Sequence, residues 1–404
     1  MEQKNAEAIE TLKEEAKSML IRAKAKTTAD KLILIDTLER LGVGYHFDQE
    51  IEEQLQEVFK SHYENIEEEK DHDLFITSLQ FRLLRQHRHY ISCSVFDKFT
   101  GKDNKFNENL SDDAKGLLSL YEAAHLRIHG EPILDEAVAF TTHHLKRIES
   151  SPLEDQVKRA LVHPIHRGSP RIHTHNYISF YEKDSSGNDL LLKLAKLDFN
   201  YVQNMYKKDI CEVSRWWNEL KSSFPYARDR IVEAYLWGTT FHFEPQYSYV
   251  RKTIAKTIQI LTILDDTYDI YATVEEADLF NENFQRWNID EIHQLPDYMK
   301  IIYRIILSTY EDYERDAAEQ GKLFAAPSAK EAMKQVCKAY NKEIKWTTRQ
   351  ELPCFEEYIE NSVMAGCFFA ICSMTIPGMK SVTKETVDWL MSVPNIIVAS
   401  SKVC

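Results

Sequence analysis

The amino-acid sequence predicts an all-α protein built from two helical domains. Apolar residues recur at helical spacing along most of the 404-residue chain, and the alternating pattern of β-strands is nearly absent. Glycine and proline are sparse, with 11 of each, which is typical of long helices joined by short turns. Hydrophobic residues make up 43% of the chain, enough to build a sizeable core.

The first part of the chain has the pattern of a layered array of antiparallel helices. Gly42 and Gly44 are predicted to end one of these helices as a C-cap does. The polar segment EKDSSGND, residues 182–189, is the best candidate linker, so we predict domains over residues 1–184 and 185–404. The helical stretches predicted before this linker are Ala6–Leu20, Leu32–Leu41, Asp73–Phe99 as a pair, Gly116–Gly130, Leu134–Ile148 and Leu153–Leu161.

The second part is predicted to continue with long helices. Ser223 and Pro225 have the pattern of an N-cap and an early helical proline for a helix that reaches Trp237. Gly366 lies inside a later helix, where it either kinks the helix and exposes carbonyl groups or lets two helices pack closely. The other predicted helices are Leu190–Leu220, Val274–Trp287, Tyr298–Glu319, Ala329–Trp346, Cys354–Ser373, Thr383–Met391 and Asn395–Cys404.

Composition excludes several classes of function. The net charge is −14 and no basic block is present, which argues against a nucleic-acid partner. The longest apolar run, near Met364–Met374, is too short to span a bilayer. The first residues form a charged amphipathic pattern without a signal-peptide core, and seven cysteines occur without CxxC pairs. We therefore expect a reduced, cytoplasmic protein without disulfides or a zinc cluster.

The stretch Ile258–Asp269, IQILTILDDTYD, places three carboxylates at the end of an apolar run that predicts a buried helix. Asp265 and Asp269 are four residues apart and would share a helical face, whereas Asp266 would lie about 100° round the helix. Such carboxylates repel one another, and a Mg²⁺ ion held by carboxylates and substrate phosphates removes that cost. We predict a Mg²⁺–diphosphate site with Asp266 as a secondary ligand; the alternative is a solvated acidic helix end.

Two arginines upstream of this stretch are candidates for binding the diphosphate. Arg228 and Arg230 are two residues apart, so inside a helix their side chains would diverge by about 200°. From a loop or a first turn they could converge on one anion, because a guanidinium group stays charged and binds phosphate oxygens bidentately. The alternative is a surface cluster in which they pair with Asp229 and Glu233.

Four histidines fall within thirteen residues, and their HxxH and HxH spacings can ligate zinc. Two prolines and a glycine lie among them, and no carboxylate or cysteine stands at ligand spacing. We interpret the segment as a loop packed between helices. The four are His163, His166, His173 and His175.

Several segments, taken together, resemble the plant terpene synthases, and most closely the sesquiterpene cyclases. In the second half they are RWW at 215–217, RDRIVEAYLW at 228–237, FEPQYS at 243–248, LDDTYD at 264–269, QRW at 285–287 and LPDYMK at 295–300. Upstream they are IDTLERLGVGYHF at 35–47, FRLLRQHRHY at 81–90 and HPIHRGSPRI at 163–172. The resemblance covers essentially the whole chain in the same order.

The resemblance implies a barrel-like α-helical N-terminal domain and a class I all-α C-terminal domain. It also implies Mg²⁺-dependent ionisation and cyclisation of a prenyl diphosphate, with Mn²⁺ as the alternative ion. Farnesyl diphosphate is favoured over geranyl diphosphate by the cytosolic start of the chain. By this resemblance Asp265, Asp266 and Asp269 would bind metal and diphosphate. Arg228 would hold the departing diphosphate, and Trp237 would stabilise carbocations by cation–π attraction.

Two departures from the family pattern bear on activity. The family's second metal motif, (N/D)Dxx(S/T)xxxE, does not occur in these 404 residues, and neither does its N-terminal segment with basic residues and a tryptophan. The chain thus resembles a terpene synthase trimmed at both ends, with an incomplete C-terminal bundle whose uncovered core we expect to self-associate. We expect little or no turnover.

The alternative is a non-catalytic helical protein that binds diphosphate weakly or pairs with an intact relative. Class II cyclisation is a poor interpretation because no DxDD motif is present. A chain-elongating prenyl transferase would carry the DDxxD motif twice, and the sequence holds it once.

Overall fold

The computed structural model describes residues 2–23, 26–64, 72–148 and 152–403. In these ranges the chain is helical apart from its turns, and the one β-pairing found there is an isolated bridge between Thr100 and Phe106. The predicted all-α fold is confirmed. Cys404, the predicted end of the last helix, lies outside the described residues.

The chain divides into two compact units, Met1–Gln203 and Asn204–Cys404, and the division falls inside a long helix. The polar segment 182–188 forms the turn before that helix, and the domain boundary at 184/185 stays a prediction. The helices before this turn are α1 (Glu2–Ala23), α2 (Thr28–Arg40), α3 (Asp48–Glu64), α4 (Leu74–Gln86), α5 (Ala114–Ala124), α6 (Pro132–Leu145), α7 (Glu154–Val162) and α8 (Pro170–Tyr181).

The long helix α9 (Asp189–Leu220) carries the division between the units. The helices that follow are α10 (Ile231–Phe241), α11 (Ser248–Asp266), α12 (Val274–Arg286), α13 (Asp297–Glu319), α14 (Ala326–Arg349), α15 (Phe355–Ala365), α16 (Phe368–Thr375), α17 (Lys384–Met391) and α18 (Asn395–Val403). Short 3-10 turns join several of them, and a π-helical turn, Thr267–Tyr271, follows α11 directly.

The first unit encloses a continuous apolar core to which α1–α8 contribute. Gly42 ends α2 as predicted, since it adopts φ +74° and its N–H donates to the carbonyl of Glu39. Two predicted elements differ from the structure. The helix expected over Gly116–Gly130 stops at Ala124, and the second half of Asp73–Phe99 is a 3-10 helix over Cys93–Phe99.

The second unit has its own core, built mainly by α10–α16. The helix expected from Pro225 begins instead at Ile231, so residues 224–230 form a loop. The reason is visible in two contacts, because the backbone N–H groups of Arg228 and Arg230 donate to side chains of α11. The long helix expected over Cys354–Ser373 is divided into α15 and α16.

A buried ion pair fixes the turn between α10 and α11. The fully buried guanidinium of Arg251 donates to Asp209 over 3.1 Å and to the carbonyl oxygens of His242 and Glu244. Asp209 also accepts hydrogen bonds from Tyr235 and another side chain of α11. Removing one member would leave a buried charge without its partner, which is the costly way to break such a pair.

One segment, Phe355–Gly378, is long and apolar enough to cross a membrane by length and composition alone. Half of its most apolar window is buried inside the unit, and core helices of ordinary globular proteins pass the same test. Gly366 and Cys367 also interrupt it, so it is not one continuous helix. The cytoplasmic location stays a prediction.

Gly42 offers a test of how tightly α2 is packed. A Cβ atom there would lie 2.7 Å from the side chain of Thr174 on α8, and φ +74° is strained for any L side chain. We expect Gly42→Ala to lower the free energy of unfolding by more than the ~1–2 kcal/mol of left-handed strain alone. Chemical denaturation followed by circular dichroism measures it.

Gly130 supplies the matched control, because its φ is +90° and a Cβ there would meet no atom within 4 Å. Gly130→Ala should therefore show the backbone strain without the clash. Equal losses in the two variants would contradict the close packing of α2 against α8.

Candidate active site

The apolar helix α11 delivers two carboxylates to the edge of the core of the second unit. Ile263 and Leu264 are buried, the side chain of Asp265 is 32% exposed and that of Asp266 is 6% exposed. The α-helix ends at Asp266 and the chain continues as a π-helical turn that carries Asp269. π-Helical turns are rare in proteins as a whole, but those that occur are often found at functional sites.

Asp265 and Asp269 stay close enough to repel each other across this change of helix type. Burial is the main cause that raises the pKa of Asp265, and the charge of Asp269 is the next. Burial also raises the pKa of Asp269, with the charge of Asp266 adding to it. The predicted proximity of Asp265 and Asp269 is therefore present, although the turn between them is not α-helical.

Arg228 reaches this group from the loop before α10. Its backbone N–H and its Nε each donate to Asp266 over 2.7 Å, and its Nη2 donates to Asp265 over 2.5 Å. Both carboxylate oxygens of Asp266 are thus occupied by Arg228. Asp266 anchors the arginine, and Asp265 lies on the exposed side of the same guanidinium.

The structure does not bring Arg230 to the same point. Its Nη1 donates to Glu233 over 3.1 Å, one of the pairings that the surface-cluster alternative expected. Its backbone N–H donates to the buried Gln259, whose amide in turn donates to the carbonyl of Arg228. Gln259 therefore clamps the loop on α11 from both sides, with Arg228 and Arg230 pointing to different partners.

Glu343 on α14 is a site residue that the sequence reasoning missed. Burial raises its pKa, and the charges of Asp269 and Asp265 raise it further. Asn361 on α15 donates to its Oε1 over 3.0 Å. The signal in the sequence was a carboxylate on the apolar stripe of α14, one heptad after Val336. We call Asp265, Asp266, Asp269 and Glu343 the acidic cluster.

The break between α15 and α16 lies beside this cluster. Gly366 caps α15 and Cys367 adopts a left-handed conformation with φ +63°, so the predicted kink is present. The Sγ atom of Cys367 lies 3.1 Å from the hydroxyl of Tyr340 and 3.0 Å from the carbonyl oxygen of Ala365. Burial raises the pKa of this thiol to about 12, so the thiol stays protonated. A Cβ on Gly366 would lie 3.2 Å from Ser401, which shows close packing as well.

Trp237 lies two turns into α10, with its side chain about half exposed. Leu236 and Phe241 on the same helix are exposed to a similar degree. Among the described residues its indole makes no aromatic or cation–π contact, which leaves its face accessible. The role of Trp237 in stabilising carbocations stays a prediction.

Comparison with known proteins places this site in a family. Residues 218–404 match the terpene synthase family metal-binding domain, and residues 1–161 match the terpene synthase N-terminal domain. The chain is 51% identical to tau-cadinol synthase of Lavandula angustifolia over 98% of its own length and 73% of that protein's. The chain belongs to the terpene synthase family. It is also 50% identical to gamma-cadinene synthase of Ocimum basilicum, with the same coverage.

Solved terpene synthase structures share the fold. Isoprene synthase from grey poplar leaves superposes with a TM-score of 0.91 at 34% identity, over 99% of this chain and 76% of that one. Limonene synthase with 2-fluorolinalyl diphosphate gives a TM-score of 0.90 at 32% identity, over 98% and 75%. A second structure of the isoprene synthase holds three Mg²⁺ ions and dimethylallyl-S-thiolodiphosphate.

The acidic cluster of this terpene synthase fits a divalent cation on its own chemistry. Arg228 contacts two of the four carboxylates, and burial and mutual repulsion raise the pKa of Asp265, Asp269 and Glu343. In the described ranges no group of three or more His, Cys, Asp or Glu side chains is arranged to hold a metal ion, so diphosphate oxygens and waters would have to complete the coordination. Such an open set suits Mg²⁺, which usually keeps waters and binds one or two carboxylates plus phosphate oxygens.

The raised pKa of Asp269 predicts that this residue destabilises the metal-free fold at neutral pH. The pKa of Asp269 in the folded protein is above the ordinary value of 3.8, so folding favours the protonated carboxyl group. The contribution of this group to the stability of the fold is therefore present at low pH. It is lost as the pH rises through the raised pKa. We expect Asp269→Asn to raise the unfolding temperature slightly at pH 7 in EDTA. The gain should vanish near pH 3.

Asp297 is the control with the opposite sign. Its hydrogen bond from Lys300 lowers its pKa, so its stabilising effect is present at neutral pH and lost on acidification. Asp297→Asn should not raise the unfolding temperature at pH 7. A gain in Asp269→Asn that persists unchanged at pH 3 would show that charge repulsion is not its cause.

Proposed function

We propose that this terpene synthase is of the sesquiterpene type and that it ionises and cyclises farnesyl diphosphate with release of diphosphate. The observation that carries the proposal is the contact of Arg228 with Asp265 and Asp266 at the acidic cluster. The names of its relatives support the substrate class, since tau-cadinol, gamma-cadinene and gamma-curcumene synthases are all near half identical to it.

Arg228 is proposed to hold the leaving diphosphate. Its Nε stays on the buried Asp266, while its Nη2 faces the more exposed Asp265. A phosphate oxygen can therefore replace Asp265 at Nη2 without disturbing the Nε contact. Asp266 serves as the positioning residue for the guanidinium. Arg230 is proposed as a weaker second contact, because its pair with Glu233 is exposed and costs little to exchange.

Asp265 and Asp269 are the proposed main metal ligands, Asp266 is secondary, and we add Glu343 to the set. Mg²⁺, or Mn²⁺ as the alternative, would supply Lewis-acid stabilisation of the charge that develops on the departing diphosphate. The protein's own part is to hold these carboxylates partly buried and close together. Their unfavourable repulsion is then relieved when a cation binds.

The carbocation left by ionisation needs partners that stabilise positive charge without reacting with it. The exposed indole of Trp237 is proposed as a cation–π partner. The protonated thiol of Cys367 is a weak nucleophile, because the thiolate is the reactive form. In the chain extended with the C-terminal helices of an intact relative, we expect Trp237→Phe to retain part of the cyclisation and Trp237→Ala to lose most of it.

The metal assignment predicts a larger effect for Asp265 and Asp269 than for Glu343. Calorimetric titration of Mg²⁺ with inorganic diphosphate should show binding that falls at least tenfold in Asp265→Asn and in Asp269→Asn. Glu343→Gln should weaken it less. Unchanged binding in both aspartate variants would contradict the assignment.

Glu282 on the exposed part of α12 is a control for overall charge. Glu282→Gln removes one negative charge from the same unit and should leave Mg²⁺–diphosphate binding unchanged. A matching loss in this variant would mean that net charge, rather than the acidic cluster, determines the affinity.

Turnover separates the catalytic proposal from the non-catalytic alternative. The 404 residues supply one acidic metal motif, and the loss of one bound ion should cost on the order of a thousandfold in rate. We expect Mg²⁺-dependent binding with little or no turnover when the 404-residue chain is assayed with farnesyl and geranyl diphosphate. Extending Cys404 with the C-terminal helices of an intact relative should restore cyclisation.

Product formation by the 404-residue chain at the rate of the extended protein would contradict the expected low activity. An extended protein that binds diphosphate but forms no product would favour the non-catalytic alternative. Geranyl diphosphate consumed faster than farnesyl diphosphate would overturn the substrate assignment.

Self-association is proposed from exposed apolar side chains of the second unit. Leu352, Phe355, Trp389, Ile396 and Val403 are between 54% and 98% exposed. Large exposed apolar patches mark interaction or aggregation sites. We expect sedimentation velocity to show oligomers that Phe355→Ser with Trp389→Ser reduces. A monomer at all concentrations would contradict this.

A further inference from the structure

The first unit contains a cavity that the proposed function does not use. Its volume is about 600 Å³, within the ~300–1,000 Å³ range of small-molecule sites. Its walls come from α5, α7 and α8, from the 3-10 turn Ile165–Arg167 between α7 and α8, and from Arg40 at the end of α2. We call it the cationic cavity. It includes His163 and His173 of the histidine-rich segment. The prediction that this whole segment is a loop is wrong, because His173 and His175 lie on α8.

Positive charge predominates on the lining. Arg40, Lys158, Arg159 and Arg167 face it, against the carboxylates of Glu122 and one aspartate, Asp155. Neither Arg159 nor Arg167 forms an ion pair with any residue that the structure describes. The guanidinium of Arg159 instead lies 5.8 Å from the ring centre of Phe180, and both arginines are exposed at the cavity.

Two buried polar atoms of lining residues have no hydrogen-bond partner. They are Nε of Arg40 and Nε2 of His173. The guanidinium of Arg40 lies 4.3 Å from the ring centre of Tyr177, and its Nη1 is 3.9 Å from Asp36, so no close carboxylate satisfies it. Both atoms are buried from solvent, so they lie behind the surface of the cavity.

The negative charge on the lining is smaller than the number of its carboxyl groups suggests. Burial raises the pKa of Glu122 to about 7, and its carboxylate already accepts the backbone N–H of Ile165 over 2.8 Å. Burial therefore favours the protonated form of this carboxyl group. Burial, followed by the charge of Arg40, lowers the pKa of His173 to about 3, so that imidazole is neutral.

An apolar surface accompanies the charges. Val162 is 68% exposed and Ile172 is 61% exposed, although both side chains are apolar. Val162 is the last residue of α7, and Ile172 lies in the first turn of α8. Leu118 and Phe180 continue this surface on the inside of the cavity. The combination of arginines with apolar side chains on the lining suits a ligand that has an anionic head and an apolar tail.

We propose that the cationic cavity binds an organic phosphate or diphosphate ester, with its head on Arg159 and Arg167 and its tail against Val162 and Ile172. Arginine binds phosphate oxygens bidentately, and the lining offers no pair of free carboxylates for a divalent ion. The binding is therefore independent of Mg²⁺. The inference goes beyond the proposed function and does not rest on it, since no residue of the acidic cluster lines this cavity.

The test is calorimetric or fluorescence titration of the 404-residue chain in EDTA. The probes are farnesyl diphosphate, inorganic diphosphate, and phosphatidylcholine vesicles with and without phosphatidic acid. We expect saturable binding that Arg159→Gln with Arg167→Gln weakens by roughly tenfold per arginine. Val162→Ser should weaken the binding of farnesyl diphosphate and leave the binding of inorganic diphosphate unchanged.

Two controls separate this site from others. Lys146→Gln with Arg147→Gln removes two exposed charges of the same unit outside the cavity and should leave binding unchanged. Arg228→Gln removes the proposed diphosphate contact of the acidic cluster, so its titration in EDTA shows whether binding that depends on Arg159 and Arg167 persists without that contact. Circular dichroism checks that each variant folds, and all four substituted charges of the first unit are exposed.

Each outcome decides the proposal. Binding of soluble esters that depends on Arg159 and Arg167 supports the proposal. Binding that depends on these arginines but is seen only with phosphatidic acid vesicles also supports it, and it identifies a lipid headgroup as the ligand. No binding of any probe, or binding that the paired arginine variant leaves intact, would overturn it. Binding lost in Arg228→Gln would assign the EDTA signal to the acidic cluster and overturn it as well.

Discussion

The contact between Arg228 and the buried carboxylate of Asp266 is the interaction on which the candidate active site depends. It uses both the backbone and the side chain of Arg228, so it fixes the loop 224–230 on α11 as well as the guanidinium itself. The clamp by Gln259 completes the attachment and sets where α10 can begin. Because both carboxylate oxygens of Asp266 accept hydrogen bonds from Arg228, the more exposed Asp265 and Asp269 are the aspartates that remain to bind other partners.

The acidic cluster illustrates a general cost of metal and diphosphate sites. One guanidinium cannot neutralise four carboxylates, and burial makes the remaining repulsion worse, as the raised pKa values of Asp265 and Glu343 indicate. A fold selected for stability alone would not keep this arrangement. The large apolar core of the second unit offsets the cost.

The site lies where regular α-helix is interrupted. A loop carries Arg228, a π-helical turn carries Asp269, and a left-handed residue, Cys367, divides α15 from α16. Interruptions of this kind leave backbone groups without their usual helical partners and turn side chains off the regular face. Arg228, Asp269 and the helix break thus come from departures from the periodic pattern, whereas the other three carboxylates of the acidic cluster lie in regular α-helix.

Local periodicity explains what the sequence determined by itself. The 3.6-residue repeat of apolar side chains is set within each segment, so it predicted the all-α class and most of the helices. The same reasoning placed Asp265 and Asp269 together at the end of an apolar helix and identified Arg228 as an anion-binding candidate. The family motifs are local too, and the likeness they indicated is confirmed by the matches over both units.

Tertiary contacts decided the rest. The helix expected from Pro225 starts at Ile231 because side chains of α11, more than twenty-five residues away, capture the intervening backbone. Glu343 joins the cluster from a helix more than seventy residues after Asp269, and Arg230 turns away to Glu233. Hydrogen bonds and charge interactions between distant segments leave no mark in local spacing, so only the folded structure shows which carboxylates meet and which one holds the arginine.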